Sequence, residues 1–249
     1  LRRETPVLGG YNREDYRAYR DWAPAADGTL IPISVIHRAD LDMSKPHPVI
    51  QYGYGSYESS MDPMFSIPML SILDRGVIYV IAHIRGGGEM GRSWYQNGKK
   101  LAKKNTFTDF VDVTSYIAAK PWADEARIGC YGGSAGGLLM GAVLNLAPEK
   151  YAACLAAVPF VDALTTILDP ELPLSAMEWE EWGNPIEDPE VYAYMKSYTP
   201  YENIRPVRYP AIAAVTSLHD TRVLYVEPAK WIAALGEQID PSSPVPLLK

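Results

Sequence analysis

An α/β fold, with a mostly parallel, doubly wound sheet and helices on both faces, is what this 249-residue sequence predicts. Two observations carry that reading. Short β-branched apolar runs recur along the chain, and stretches with apolar residues at helical spacing separate them. The runs lie at 33–37, 48–52, 77–83, 127–131, 154–158 and 211–217, and a last one at 245–248 reads as the next strand. The helical stretches are 64–74, 107–119, 135–146 and 226–235, each with apolar residues at i, i+3 and i+4. Residues 169–208 break the alternation with Pro, Trp, Tyr and Glu. They read as an insertion above the sheet, where it can wall a pocket beyond the carboxyl ends of the strands. Residues 1–30 read as a segment leading into one domain over 31–249.

Composition removes several classes. Hydrophobic residues make up 47% and charged residues 21%, enough apolar material for a core and too much for disorder. With 30 acidic against 23 basic side chains the net charge is −7, the wrong sign for a general nucleic-acid binder. The longest apolar stretch, around 77–84, is too short to cross a bilayer. Cys130 and Cys154 sit inside apolar runs and read as buried free thiols. Without a disulfide framework, a reducing cytoplasmic setting is expected. The chain opens without Met and without an apolar leader, which points to a fragment.

Gly132-Gly133-Ser134-Ala135-Gly136 satisfies G-x-S-x-G between a predicted strand and a predicted helix. A strand running straight into a helix forces a sharp turn that lifts the serine hydroxyl above the sheet, and small neighbours give it room. A glycine-rich phosphate loop is the rival, but neither a Walker lysine nor a G-x-G-x-x-G with its later acidic residue is present. A serine nucleophile needs a base and a carboxylate to orient that base, in the chain order Ser, acid, His on such a sheet. Asp220, 86 residues after Ser134 at the end of run 211–217, stands where the acid belongs; as an alternative it caps the helix that follows. The base is missing. Of the four histidines, His37, His47 and His83 precede the nucleophile and His219 adjoins the acid.

Taken together, Tyr52-Gly53-Tyr54-Gly55-Ser56-Tyr57, Arg85-Gly86-Gly87-Gly88-Glu89, Asn105-Thr106-Phe107-Thr108-Asp109-Phe110, the serine motif, Glu180-Glu181-Trp182-Gly183-Asn184-Pro185 and His219-Asp220-Thr221-Arg222-Val223 resemble the prolyl oligopeptidase family of serine peptidases, within it the oligopeptidase B group. The resemblance implies an α/β-hydrolase domain that the family pairs with a β-propeller, absent here, and a catalytic Gly-His-Gly a few residues beyond Lys249. It implies Ser134 as nucleophile and Asp220 as triad acid. Tyr54 and the backbone N–H of Ala135 become the oxyanion hole, and Arg222 a ligand for a substrate carbonyl. No metal or organic cofactor is implied.

For substrates, the resemblance implies short peptides with Arg or Lys at the cleavage site, gripped by Glu178 and Glu180. The competing reading makes Glu178, Glu180 and Glu181 a solvated helix face with Trp179 and Trp182 turned inward. Asp62 matches the first of two aspartates that help hold a second basic residue, while Met64 occupies the second, so that preference is expected to be weak. Otherwise Asp62 caps the helix near Met64. Lys99, Lys100, Lys103 and Lys104 read as a solvated basic face. An esterase on the same fold remains an alternative, as does an inactive chain that only binds basic peptides. Without its base the isolated chain is expected to turn over arginyl amides poorly, and to be unstable through exposed apolar sheet surface.

Overall fold

The computed structural model describes residues 6–172 and 174–249. In chain order the elements are β1 (Tyr16–Pro24), β2 (Leu30–Arg38), β3 (His47–Tyr52), α1 (Ile67–Leu73), β4 (Ile78–Ala82), α2 (Arg92–Gln96), α3 (Lys104–Ala118), β5 (Ala123–Gly133), α4 (Ala135–Leu146), β6 (Ala153–Ala157), α5 (Ala163–Ile167), α6 (Ser175–Trp182), α7 (Pro189–Lys196), β7 (Ala211–Val215), α8 (Val226–Gln238) and β8 (Leu247–Leu248). The strands form one eight-stranded sheet in the order β1-β2-β4-β3-β5-β6-β7-β8. From β4 to β8 every pairing is parallel.

Two features differ from the sequence reading. Strand β2 is antiparallel to both its neighbours, and β1 lies inside the stretch read as a lead-in. The five residues between β1 and β2 permit only a hairpin, which fixes their antiparallel sense. An edge strand with most side chains in solvent has no apolar alternation to betray it, and β1 carries Arg17, Arg20 and Asp21.

The chain order of the strands sets the place of the site. The connection from β3 runs through α1 to β4 on one side, whereas that from β5 runs through α4 to β6 on the other. The sheet winding therefore reverses between β3 and β5, which are adjacent, with Tyr52 beside Tyr131. A crevice opens at such a reversal, beyond the carboxyl ends of the two strands.

Helices α3 and α4 cover one face. Phe107, Phe110, Val113 and Ile117 of α3 recur every three or four residues and are at most 1% exposed, which is why that segment is a helix docked on the sheet. The other face holds a smaller cluster of Leu73, Tyr79 and Ile81 under α1. Past α1 it opens into an apolar groove of about 770 Å³ bordered by Tyr131, Leu155, Val245 and Leu247. Residues 169–208 contribute α6 and α7 and, among the described residues, no strand, so this stretch is the expected insertion. Cys130 and Cys154 are free, buried and opposite one another in register, and burial pushes the Cys130 thiol up. No helix among the described residues is long and apolar enough to cross a membrane.

Two of the recurring motifs are structural. The Arg85 guanidinium donates to both carboxylate oxygens of fully buried Asp109, at 2.9 and 2.6 Å, and to Asp27 at 2.7 Å. Removing one partner of such a buried pair costs roughly 3–5 kcal/mol, because the other charge is left in a dry interior. Thr106 closes the arrangement by donating to the Arg85 carbonyl at 2.7 Å. Gly86, at φ +100°, lies so close to the next loop that a Cβ there would sit 2.0 Å from the Gly55 carbonyl oxygen. The glycine thus lets the 85–91 loop brace the segment carrying Tyr54.

Candidate active site

Ser134 joins β5 to α4 as the helix N-cap residue, with φ +58° and ψ −119°, a strained conformation for a residue with a side chain. The main chain around it is clamped. Its N–H donates to the Ala157 carbonyl at 2.9 Å, and its carbonyl accepts from Gly137 at 2.8 Å and Phe160 at 3.2 Å. A Cβ on Gly132 would meet the Gly136 carbonyl oxygen at 2.3 Å, so the turn requires glycine there. This is the predicted strand-turn-helix elbow. Ala135 occupies the first helical position, where N–H groups have no intrahelical acceptor and the helix dipole favours negative charge.

Tyr54 follows β3, the neighbour of β5, so the reversal of the sheet brings it to Ser134. Burial raises its hydroxyl to about 12, with Tyr52, Glu178 and Glu181 adding to the rise and a hydrogen bond with Ser134 opposing it. The phenol therefore stays protonated and able to donate over the whole physiological range. A cavity of about 250 Å³ opens over these residues, bordered by Tyr54, Tyr57, Ser134, Phe160, Glu178 and Arg222. The Arg222 side chain is exposed and, among the described residues, makes no ion pair.

Asp220 stands in the loop after β7, two residues before Arg222. Its carboxylate accepts from the N–H groups of Arg222 at 2.8 Å and Val223 at 3.0 Å, which fixes it within the loop. It does not cap α8, which begins six residues later. None of the four histidines borders the cavity. His83 is buried against Ser34 at 2.8 Å and Glu89 at 3.3 Å, His37 and His47 bind carbonyl oxygens of Arg38 and Asp42, and His219 is exposed.

The insertion helix divides the predicted acid pair. Glu178 borders the cavity, its Oε2 accepting from the Tyr57 hydroxyl at 2.5 Å and the Trp182 indole at 2.8 Å. Glu180, by contrast, is 72% exposed and bound to Lys99 at 2.6 Å and Lys100 at 3.0 Å, which hold its carboxyl down to about 2. Residues two apart on a helix point to opposite sides, whereas those three and four apart share a face. Of the three, the buried carboxylate is Glu181, 3% exposed, which the competing sequence reading placed on a solvated face.

Two further expectations are corrected. Lys99 and Lys103 are not solvated: they are 6% and 1% exposed, covered by α6. Burial lowers the Lys103 ammonium to about 8, against the opposing attraction of Glu181. Asp62 is exposed, does not border the Ser134 cavity and does not cap α1, whose N-cap residue is Ser66. Helical spacing from Glu178 was a signal that could have singled out Glu181 and Trp182. Nothing local marked Phe160.

One wall of the cavity, α5, rests on a buried carboxyl. Glu227 of α8 accepts from the Asp162 N–H at 2.9 Å and the Thr166 hydroxyl at 2.6 Å, and burial raises it from 4.5 to about 7. A carboxyl raised in the folded state stabilises the fold below its ordinary pKa, and that contribution is lost as pH rises through the folded value. Between 4.5 and about 7 the unfolding midpoint of the wild type should therefore fall relative to Glu227→Gln, whose amide does not titrate. Midpoints measured in parallel across that window decide it, and a constant gap would contradict the assignment.

The sequence profile of the prolyl oligopeptidase family matches residues 63–244, well over half the chain. The chain belongs to the prolyl oligopeptidase family. Among curated relatives it is 52% identical over 244 residues to dipeptidyl aminopeptidase BI of Pseudoxanthomonas mexicana, covering 98% of this chain and 34% of that protein. It is 44% identical over 230 residues to protease 2 of Moraxella lacunata, covering 92% and 33%. Among solved structures, oligopeptidase B of Leishmania major superposes with a TM-score of 0.92 at 50% identity, covering 97% of this chain and 34% of that one. Oligopeptidase B of Trypanosoma brucei with covalently bound antipain gives 0.93 at 46%, with the same coverage. The sequence thus spans about a third of the length of these prolyl oligopeptidase relatives, and its sheet and elbow are the family's α/β-hydrolase fold.

Proposed function

We propose that the chain is the catalytic domain of a serine oligopeptidase that cleaves short peptides after Arg or Lys. The observation that supports this reading is the Glu178 carboxylate, which borders the Ser134 cavity together with the rings of Tyr57 and Phe160. A cavity that holds both a carboxylate and aromatic rings suits a guanidinium or ammonium, which can gain charge-assisted hydrogen bonds and cation–π attraction together. A neutral acyl group gains neither.

In the proposed reaction the Ser134 Oγ bonds to the carbonyl carbon as its proton passes to an imidazole. That imidazole is assigned to the Gly-His-Gly the family resemblance expects beyond Lys249, oriented by Asp220. The carbonyl oxygen becomes an oxyanion that accepts from the Tyr54 hydroxyl and the Ala135 N–H. Collapse breaks the C–N bond and returns the proton to the departing amine. Water then attacks the acyl-enzyme by the same route and releases the carboxylic acid. Arg222, at the rim, would hold a substrate carbonyl. The family's β-propeller would restrict entry to short peptides.

Exchanging Glu178 for Gln tests the reading. In the complete gene product kcat/KM for an arginyl amide should fall at least about 30-fold relative to that for a small neutral ester, from the roughly 2 kcal/mol or more of a charge contact that the bound substrate itself buries. Glu180→Gln should leave the arginyl rate within about two-fold, because the Glu180 carboxylate is 72% exposed and does not border the cavity. Equal losses on amide and ester in Glu178→Gln would favour an esterase. Because the relative at 52% identity is named a dipeptidyl aminopeptidase, mass spectrometry of products from longer peptides distinguishes internal cleavage from release of dipeptides.

A further inference from the structure

We infer that the buried pair Lys103 and Glu181, outside the cavity, is the positioning element that sets Glu178 for a basic side chain and ties that pocket to the oxyanion loop; this rests on the function proposed above. Glu181 itself cannot receive a substrate. Its Oε1 accepts from the Tyr57 N–H at 3.1 Å and lies 3.7 Å from the Lys103 ammonium, while its Oε2 accepts from the Tyr95 hydroxyl at 2.7 Å. Both oxygens are engaged, and Glu181 does not border the Ser134 cavity.

What Glu181 holds is Tyr57. That residue adopts φ +59°, a left-handed conformation that costs free energy for any residue with a Cβ, and the Glu181 carboxylate secures its main chain there. The tyrosine ring then stands edge-on to Trp182, at 5.9 Å and 89°, and its hydroxyl reaches Glu178. Tyr57 and Trp182 both bond Oε2 of Glu178, and among the described residues its Oε1 makes no hydrogen bond within the chain. One oxygen is thus anchored and the other is left for a cation.

Lys103 makes the second connection. Its ammonium donates to the Gly55 carbonyl at 2.6 Å and the Ser56 hydroxyl at 2.7 Å, and stands 4.9 Å from the Trp182 ring. Gly55 follows Tyr54 directly. One buried cation therefore joins the loop of the oxyanion donor to the helix of the specificity carboxylate.

The test compares an arginyl with a leucyl amide substrate in the complete gene product, as wild type, Glu181→Gln, Glu178→Gln and the double variant. Glu181→Gln should lower the arginyl-to-leucyl ratio of kcat/KM about ten-fold, chiefly through KM, and should add less than two-fold to that ratio in the Glu178→Gln background. Equal losses on both substrates, or full additivity with Glu178→Gln, would overturn the inference. Should Glu181→Gln fail to fold, Tyr95→Phe removes only one donor to Glu181 and should lower the ratio about three-fold; an unchanged ratio overturns the inference. A wild type with no arginyl preference overturns the proposed function and the inference with it, whereas an arginyl-to-leucyl ratio left unchanged in Glu181→Gln overturns the inference alone.

Discussion

Replacing Ser134 with Ala in the complete gene product is expected to lower kcat for an arginyl amide by roughly 10⁶-fold, the scale on which a serine nucleophile and its base act as a unit. KM should change little, because the cavity, Glu178 and the two aromatic walls remain. The physical reason is the elbow itself: among the described residues bordering the cavity, Ser134 alone is lifted above the sheet by a positive-φ backbone at a helix N-terminus. Alanine relieves no packing and keeps the backbone clamp of Ala157, Gly137 and Phe160. The thermal midpoint should therefore stay close to that of the wild type. Turnover within ten-fold of wild type would remove Ser134 from the mechanism.

The second large effect is expected from Tyr54→Phe. Loss of one preorganised oxyanion donor costs about 10²–10³ in kcat, or roughly 3–4 kcal/mol of transition-state stabilisation. Since the hydroxyl is raised to about 12 and remains a donor from acid to alkaline pH, the loss should be nearly constant across the pH profile. Phenylalanine keeps the ring that packs against Gly136, so the fold should tolerate it. Rapid-quench measurement of the acylation rate separates this effect from binding. A fall in KM affinity with an unchanged acylation rate would make Tyr54 a binding residue instead.

The elbow was legible because everything that makes it is local. Strand, turn glycines, serine and helix occupy consecutive positions, and the steric demands on Gly132 come from atoms four residues away. The central strands were legible for a related reason, since β4 is buried along its whole length and reads as an unbroken apolar run. Strand β1 was not, because an exposed edge strand buries no alternating face.

The acid pocket shows where local reading stops. Glu178, Glu180 and Glu181 are neighbours in sequence, and composition treats them alike. On helix α6 they point in different directions: Glu178 to the cavity, Glu180 to the exposed side with Lys99 and Lys100, and Glu181 to the interior. The lysine run divides in the same way, because α6 covers Lys99 and Lys103 while Lys100 stays 41% exposed. A charge run reads as solvated unless something is known to pack on it, and what packs here comes from about 80 residues further along the chain.

The sequence by itself pointed to the central strands and to the strand-turn-helix elbow that carries Ser134, because each depends on short-range periodicity or on a motif whose geometry is contained in a few residues, whereas the oxyanion roles of Tyr54 and Ala135 came from the family resemblance. The tertiary structure alone decided which carboxylate faces the cavity, which is buried with Lys103, and which is spent on the surface. Those assignments depend on the rotation of one insertion helix against a distant loop, and that rotation is fixed by packing between segments far apart in the chain.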